Sequence, residues 1–154
     1  MNDLLTVGQF MTREVVVAGL HNQFSEIMAY FAKHKISHMP ITKDDQLIGI
    51  VSASDVFNAV YSKLATGANV SKETLNADFE IAHFMVENPV TVNEDTLISE
   101  ALIMMKEGAF LALPVTENDK IVGIITGKDL VNVFTKELNP PQHIFTIENP
   151  GFGI

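Results

Sequence analysis

The chain has 154 residues, 47% of them hydrophobic, with 19 acidic against 10 basic side chains and a formal charge of -9. That length and composition suit one globular domain, while the negative field repels nucleic acid and anionic membrane surfaces, whose binding needs clustered Lys and Arg. With Cys 0 there is no disulfide, thiol nucleophile or thiolate metal site, and no apolar run approaches the roughly 20 residues of a membrane span, so a soluble, cytoplasmic protein is expected.

In chain order, a short opening strand is followed by an amphipathic helix, since Phe24, Ile27, Met28 and Phe31 recur at i, i+3, i+4 and i+7. "HMPIT", the polar turn "KDDQ" and the apolar run "LIGIVS" then read as a hairpin of two strands. A second helix is predicted from about Ser54 to Leu64, with Asp55 in its first turn, where a negative charge suits the helix dipole. The stretch "ATGANVSKETLNAD" reads as a linker holding a short helix over Ser71 to Ala77. The same plan then starts again. Ile98, Ala101, Leu102 and Met105 repeat the helix spacing, "ALPVT", "ENDK" and "IVGIIT" repeat the hairpin, and a closing helix is predicted from about Lys128 to Leu138 with Asp129 in its first turn. The end, "NPPQHIFTIENPGFGI", lies outside the repeat, and its Ile144, Phe145, Ile147 and Phe152 suggest an arm or tail. The expected divisions are 1–64, 65–78, 79–138 and 139–154.

A shift of 74 residues, the distance from Gly49 to Gly123, superimposes the halves without a gap. Phe10 and Met11 fall on Phe84 and Met85, Ser25 and Glu26 on Ser99 and Glu100, Pro40 on Pro114, and Asp55 on Asp129. Each unit reads strand, helix, strand, strand, helix. One unit of this size buries too little surface to be stable alone. The expected class is therefore α+β, a tandem pair of β-α-β-β-α motifs whose sheets and helices pack about an approximate twofold axis, with two grooves at the seam. Glycine inside a strand costs roughly 0.5–1 kcal/mol relative to alanine, so Gly49 and Gly123 mark places where another backbone or a ligand comes close.

Three tempting motifs carry no chemistry. "GIITGKD" lacks the spacing and the Ser or Thr after Lys128 that a phosphate loop requires. His34 and His38 straddle the predicted helix end, so no metal site is expected. No nucleophile with a placed base emerges, so no catalytic residue is assigned.

The Met-Thr near the start, the apolar-Pro-Ile/Val strand, and Gly-apolar-apolar-Ser/Thr-x-x-Asp before a helix together resemble the cystathionine-β-synthase (CBS) domain. It occurs here as a tandem pair over about residues 7 to 137. In that family a pair forms a disc-like Bateman module that binds adenosine-containing ligands in its clefts and commonly dimerises. The resemblance implies that Asp55 and Asp129 accept ribose hydroxyls and that Ser52 and Thr126, with Ser54 and Lys128 beside them, lie near the phosphate or ribose. It implies an adenine pocket lined by the residues up to each proline, His38, Met39 and Pro40 or Ala112, Leu113 and Pro114, with the stretches Arg13 to Val15 and Glu87 to Val90. Arg13, the sole arginine, is assigned with His38 and Lys35 to the first groove, while in the second Leu111 and Ala112 stand where many relatives carry a basic residue and Lys128 could supply one charge. The implied ligand is therefore a nucleoside, AMP or S-adenosylmethionine rather than ATP, with AMP first and no catalytic cofactor. The same aspartates are equally suited to plain helix capping. The expected function is a stand-alone regulatory sensor, a homodimer acting on a partner protein and not an enzyme. The alternatives are a ligand-free dimerisation module with degenerate clefts and an enzyme using the clefts.

Overall fold

The computed structural model describes residues 5–137; Leu138 and the expected C-terminal arm lie outside them. The chain enters through one helical turn, α1 (Val7–Phe10), and a two-residue strand, β1 (Ala18–Gly19), before the amphipathic helix α2 (Phe24–His34). Phe24, Ile27 and Phe31 of α2 are buried, as their spacing predicts. The helix stops where Lys35 turns left-handed, φ 51°, and its N–H returns to the Phe31 carbonyl. β2 (His38–Lys43) and β3 (Gln46–Ser52) form the first hairpin, and α3 (Ala53–Ala65) follows at once. The linker holds α4 (Lys72–Asp78), capped by Ser71, and a second single turn, α5 (Ile81–Phe84), leads into β4 (Val86–Glu87). The plan then repeats in α6 (Ile98–Gly108), β5 (Ala112–Glu117), β6 (Lys120–Thr126) and α7 (Gly127–Glu137). The sequence carries no signal for α1 and α5, because four residues are too few to show a period.

Both hairpins close on two residues of positive φ, Asp44–Asp45 and Asn118–Asp119, with 51° and 64° in each. This is the type I′ pattern, whose twist matches the flanking strands and which Asn and Asp tolerate better than other residues with a β-carbon. Six strands form one sheet in the order β1-β2-β3-β6-β5, with β4 beside β3. Where the sequence suggests two sheets packed together, the hairpins instead join edge to edge. Gln46 pairs with Lys120, and the Leu47 N–H reaches the Asp119 carbonyl at 3.0 Å. Gln46 and Lys120 are each other's counterparts in the repeat, so the approximate twofold axis passes between them. Antiparallel pairing has a local twofold of its own, and this junction covers part of one edge of each hairpin.

The halves also exchange their entry segments. Thr12 exchanges N–H···O bonds of 2.9 and 3.0 Å with Ile124 of β6, while Val86 and Glu87 pair with Ile50 and Gly49 of β3. Glycine permits both crossings. A Cβ at Gly123 would sit 2.7 Å from Met11 Sδ and 3.0 Å from the Thr12 carbonyl oxygen, and one at Gly49 would sit 2.9 Å from Met85 Cγ and 3.2 Å from the Val86 carbonyl oxygen. Of the two neighbours that strand glycines allow, a backbone or a ligand, both positions have a backbone. The cores are composite for the same reason. The first, around Phe24, Ile27, Met39 and Val51, takes in Leu75 and Ile81, and Phe24 packs against Phe79 and Phe84 with ring centroids 4.8 and 5.2 Å away. The second, around Ile98, Leu113, Val115 and Ile125, takes in Val7 and Met11. An ion pair between Lys63 and Asp78, and a 2.8 Å bond from the Ser25 N–H to Asn76 Oδ1, fix α4 to α3 and α2.

The close approach predicts that Gly123→Val lowers the unfolding free energy by about 1–3 kcal/mol in urea titration, by pushing Met11 and Thr12 off β6. Gly127→Ala, where an added Cβ meets nothing within 4 Å, is the control. Equal effects of the two substitutions would refute the crossing as the reason for glycine.

Candidate functional site

A cleft of about 320 Å³ opens between the halves. The first half supplies His38 from the start of β2, Ile50 and Ser52 from β3, and Asp55 from the first turn of α3. The second half supplies Val86, Asn88, Pro89 and Val90 from β4 and the segment after it, Ala109 to Leu111 from the turn between α6 and β5, and Ala112 from the start of β5. The walls are mostly apolar, and the polar groups gather at one end of β3 and α3. This is the usual composition of a small-molecule pocket, in which apolar surface supplies affinity and a few polar atoms set orientation.

The two aspartates singled out by the repeat are not equivalent in space. Asp129 is folded back on its own helix. Its Oδ2 accepts the Thr126 N–H at 2.9 Å and the Thr126 hydroxyl at 3.1 Å, while its N–H points to Thr126 Oγ1 at 3.4 Å. That is a reciprocal cap, and it uses the carboxylate. Asp55 makes only half of the motif, its N–H donating to Ser52 Oγ at 3.0 Å. Its carboxylate has no hydrogen-bond partner among the described residues and faces the cleft. A carboxylate so placed can accept two vicinal hydroxyls, each charge-assisted bond contributing about 1.5–3 kcal/mol.

His38 is half-buried at the cleft wall, with Nδ1 2.9 Å from Ser37 Oγ. Burial pushes its pKa below the ordinary value, and the Asp55 charge opposes that shift only in part. The imidazole is therefore mainly neutral at pH 7 and offers one donor and one acceptor.

Ser52, Asp55, His38, Val90 and Ala112 thus come together, and the other expected residues do not join them. Met39 and Leu113 are 0% exposed and belong to the two cores, because successive strand residues point to opposite faces and His38 and Ala112 take the cleft side. Pro40 and Pro114 are buried within β2 and β5, the Pro114 carbonyl accepting the Val92 N–H. Ser54 is exposed in the first turn of α3 and Lys128 in that of α7, neither on the cleft wall. Neither Lys35 nor Arg13 accompanies His38 on the cleft wall. The exchange carries residues 11–13 to the second half, where the guanidinium pairs with Glu94 and bonds to the Gly8 carbonyl at 2.8 Å. Val15, half-buried, continues that same segment and is the counterpart of Pro89. Thr126 and Asp129 are the counterparts of Ser52 and Asp55 in the second half. Sequence reasoning misses Ile50, which strand alternation puts on the same face as Ser52, and Phe110 and the wall role of Leu111, which reach the first cleft only because the halves meet across the twofold.

Comparison with known proteins follows the same division. The CBS domain family matches residues 7–62 and 80–136. MJ1232, an uncharacterised protein of Methanocaldococcus jannaschii, is 28% identical over 143 residues, which cover 92% of this chain and 43% of that protein. Inosine-5'-monophosphate dehydrogenase of Korarchaeum cryptofilum is 26% identical over 132 residues, 85% of this chain and 24% of the enzyme. The chain therefore spans less than half the length of either relative. Among solved structures, the CBS domain pair of protein MJ0100 in complex with 5'-methylthioadenosine and S-adenosylmethionine superimposes with a TM-score of 0.74 at 22% identity, covering 88% of this chain and 99% of that one. CBSX2 of Arabidopsis thaliana in complex with AMP gives 0.70 at 23% identity, covering 86% and 98%.

The lowered His38 pKa has a pH consequence. The unfolded chain binds a proton to this residue at higher pH than the folded one, so its contribution to stability is complete above the ordinary value of 6.5 and is lost as pH falls through the window below it. His38→Gln should flatten the stability profile between about pH 7.5 and pH 5. Identical slopes for variant and wild type in denaturant titrations would contradict this.

Proposed function

The chain belongs to the CBS domain family, and on that basis we propose that it is a regulatory module whose first cleft binds an adenosine-containing small molecule and signals the bound state to a partner protein. One observation carries the reading: the Asp55 carboxylate, without a hydrogen-bond partner among the described residues, faces an apolar-walled cleft of about 320 Å³. The adenosyl compounds held by CBS pairs of the same fold support the choice of ligand class. Asp55 with Ser52 holds the ribose, and Ile50, Val86, Val90 and Phe110 enclose the base. Because the wall draws on both halves, a ligand there favours one placement of the halves relative to each other. It can shift that placement only by its differential affinity for the alternatives. Regulation without turnover is part of the proposal, and conversion of any of these ligands by the wild type but not by Asp55→Ala would replace it with an enzymatic reading.

A second copy of the chain belongs to the same proposal. Phe57, Tyr61 and Leu64 lie at i, i+4 and i+7 on one face of α3 and are 68%, 62% and 58% exposed, with the Phe57 and Tyr61 rings stacked at 6.2 Å. Such a stripe loses unfavourable hydration when a matching surface covers it. Light scattering should show a dimer that Phe57→Ser with Tyr61→Ser converts to monomer; a wild-type monomer at micromolar concentration would remove this part.

Ligand binding is tested by thermal shift with adenosine, AMP, 5'-methylthioadenosine and S-adenosylmethionine. At least one should stabilise the protein, by about 2.7 kcal/mol at a hundredfold excess over its dissociation constant. Asp55→Ala should abolish the shift. Asp129→Ala should keep it while lowering intrinsic stability by about 0.5–2 kcal/mol through the lost cap. No shift with any compound would leave a ligand-free interaction module.

A further inference from the structure

We infer that the first cleft selects adenosine compounds whose 5' substituent carries no net negative charge, and discriminates against nucleotides with a 5' phosphate. The inference rests on the adenosyl reading above and sharpens it by charge. A phosphate is held in proteins by cations, by free N–H groups at a helix N-terminus, or by both. Among the described residues neither Lys nor Arg lines the cleft. Arg13, which sequence reasoning places there, is held by Glu94 and the Gly8 carbonyl in the other half.

Two of the first three N–H groups of α3 are already engaged. The Ala53 N–H donates to the Ser37 carbonyl at 2.8 Å and the Asp55 N–H to Ser52 Oγ at 3.0 Å. Asp55 adds a carboxylate of its own at the end where an anion would be attracted. A phosphate brought to this end of the cleft meets a like charge, beside an imidazole that burial keeps mainly neutral. A thioether or an alcohol at the 5' position meets no such penalty, and a sulfonium is attracted. The protein's formal charge of -9 acts in the same direction over longer range.

The repeat itself supplies a variant that should reverse the preference. Ala109 lines the cleft in the left-handed conformation, φ 54°, and its counterpart in the first half is Lys35 at φ 51°. Ala109→Lys therefore places a cation at the cleft in a backbone conformation that this fold already builds with lysine.

Isothermal titration of the full chain with adenosine, 5'-methylthioadenosine, S-adenosylmethionine and AMP tests the inference. 5'-Methylthioadenosine should bind at least tenfold more tightly than AMP, and Ala109→Lys should shift that ratio toward AMP by about tenfold. AMP binding the wild type as tightly as 5'-methylthioadenosine overturns the charge selection while leaving the adenosyl reading intact. Failure of every compound to bind overturns both. The wild-type ranking stands as a test even if the variant does not fold.

Discussion

Two strand crossings hold this molecule together, Thr12 over Gly123 and Val86 over Gly49. Each delivers a methionine and a stretch of backbone from one half to the hairpin of the other, and each needs a residue without a side chain at the point of contact. The consequence is that neither half owns its core. Val7 and Met11 complete the second, Leu75 and Ile81 the first, and burial of side chains of this size contributes roughly 1.5–3 kcal/mol apiece. The Gln46–Lys120 pair joins the hairpins at one point, but the exchanged segments are what make separation of the halves costly.

The cleft is a product of the same exchange. Val86 to Val90 form one wall of the first cleft because β4 crosses onto β3, and Ala109 to Ala112 come from the neighbouring half beside the twofold. A duplicated fold would give two equal sites if the side chains were also duplicated. They are not. Histidine at position 38 faces alanine at 112, Ser52 is matched by Thr126, and Asp129 is locked into a cap that Asp55 leaves half made. The symmetry of the backbone and the asymmetry of the chemistry therefore coexist, and the Asp55 carboxylate, without a hydrogen-bond partner among the described residues, marks one cleft.

Much of this was legible in the letters. The helix periods at Phe24 to Phe31 and Ile98 to Met105, the two hairpin turns, the capped linker helix and the shift of 74 residues follow from local rules that the structure obeys, except that Leu102 of the second period is 38% exposed. Asp55, Ser52 and His38 were also placed together, because they sit at the junction of a strand and a helix. What failed was long range. Nothing in a single sequence says that residues 11–13 serve the second half or that Phe110 reaches the first cleft, so Arg13 is expected in the wrong neighbourhood and Phe110 has no signal. Met39 and Leu113 failed for a nearer reason, since the two-residue alternation of a strand already sends them away from the face that His38 and Ala112 occupy.

The exchange also orders events during synthesis. Val7 and Met11 leave the ribosome well before the β6 strand that receives them, which emerges about a hundred residues later, several seconds at roughly 5–20 residues per second. Through that interval a nascent chain carries an apolar segment with no place to dock, and the first core waits in turn for Ile81 and Phe84. Contacts so distant in sequence make late, cooperative closure the rule. Shortening the chain from its C-terminal side into β6 would therefore cost the opening residues their seat as well as the closing ones.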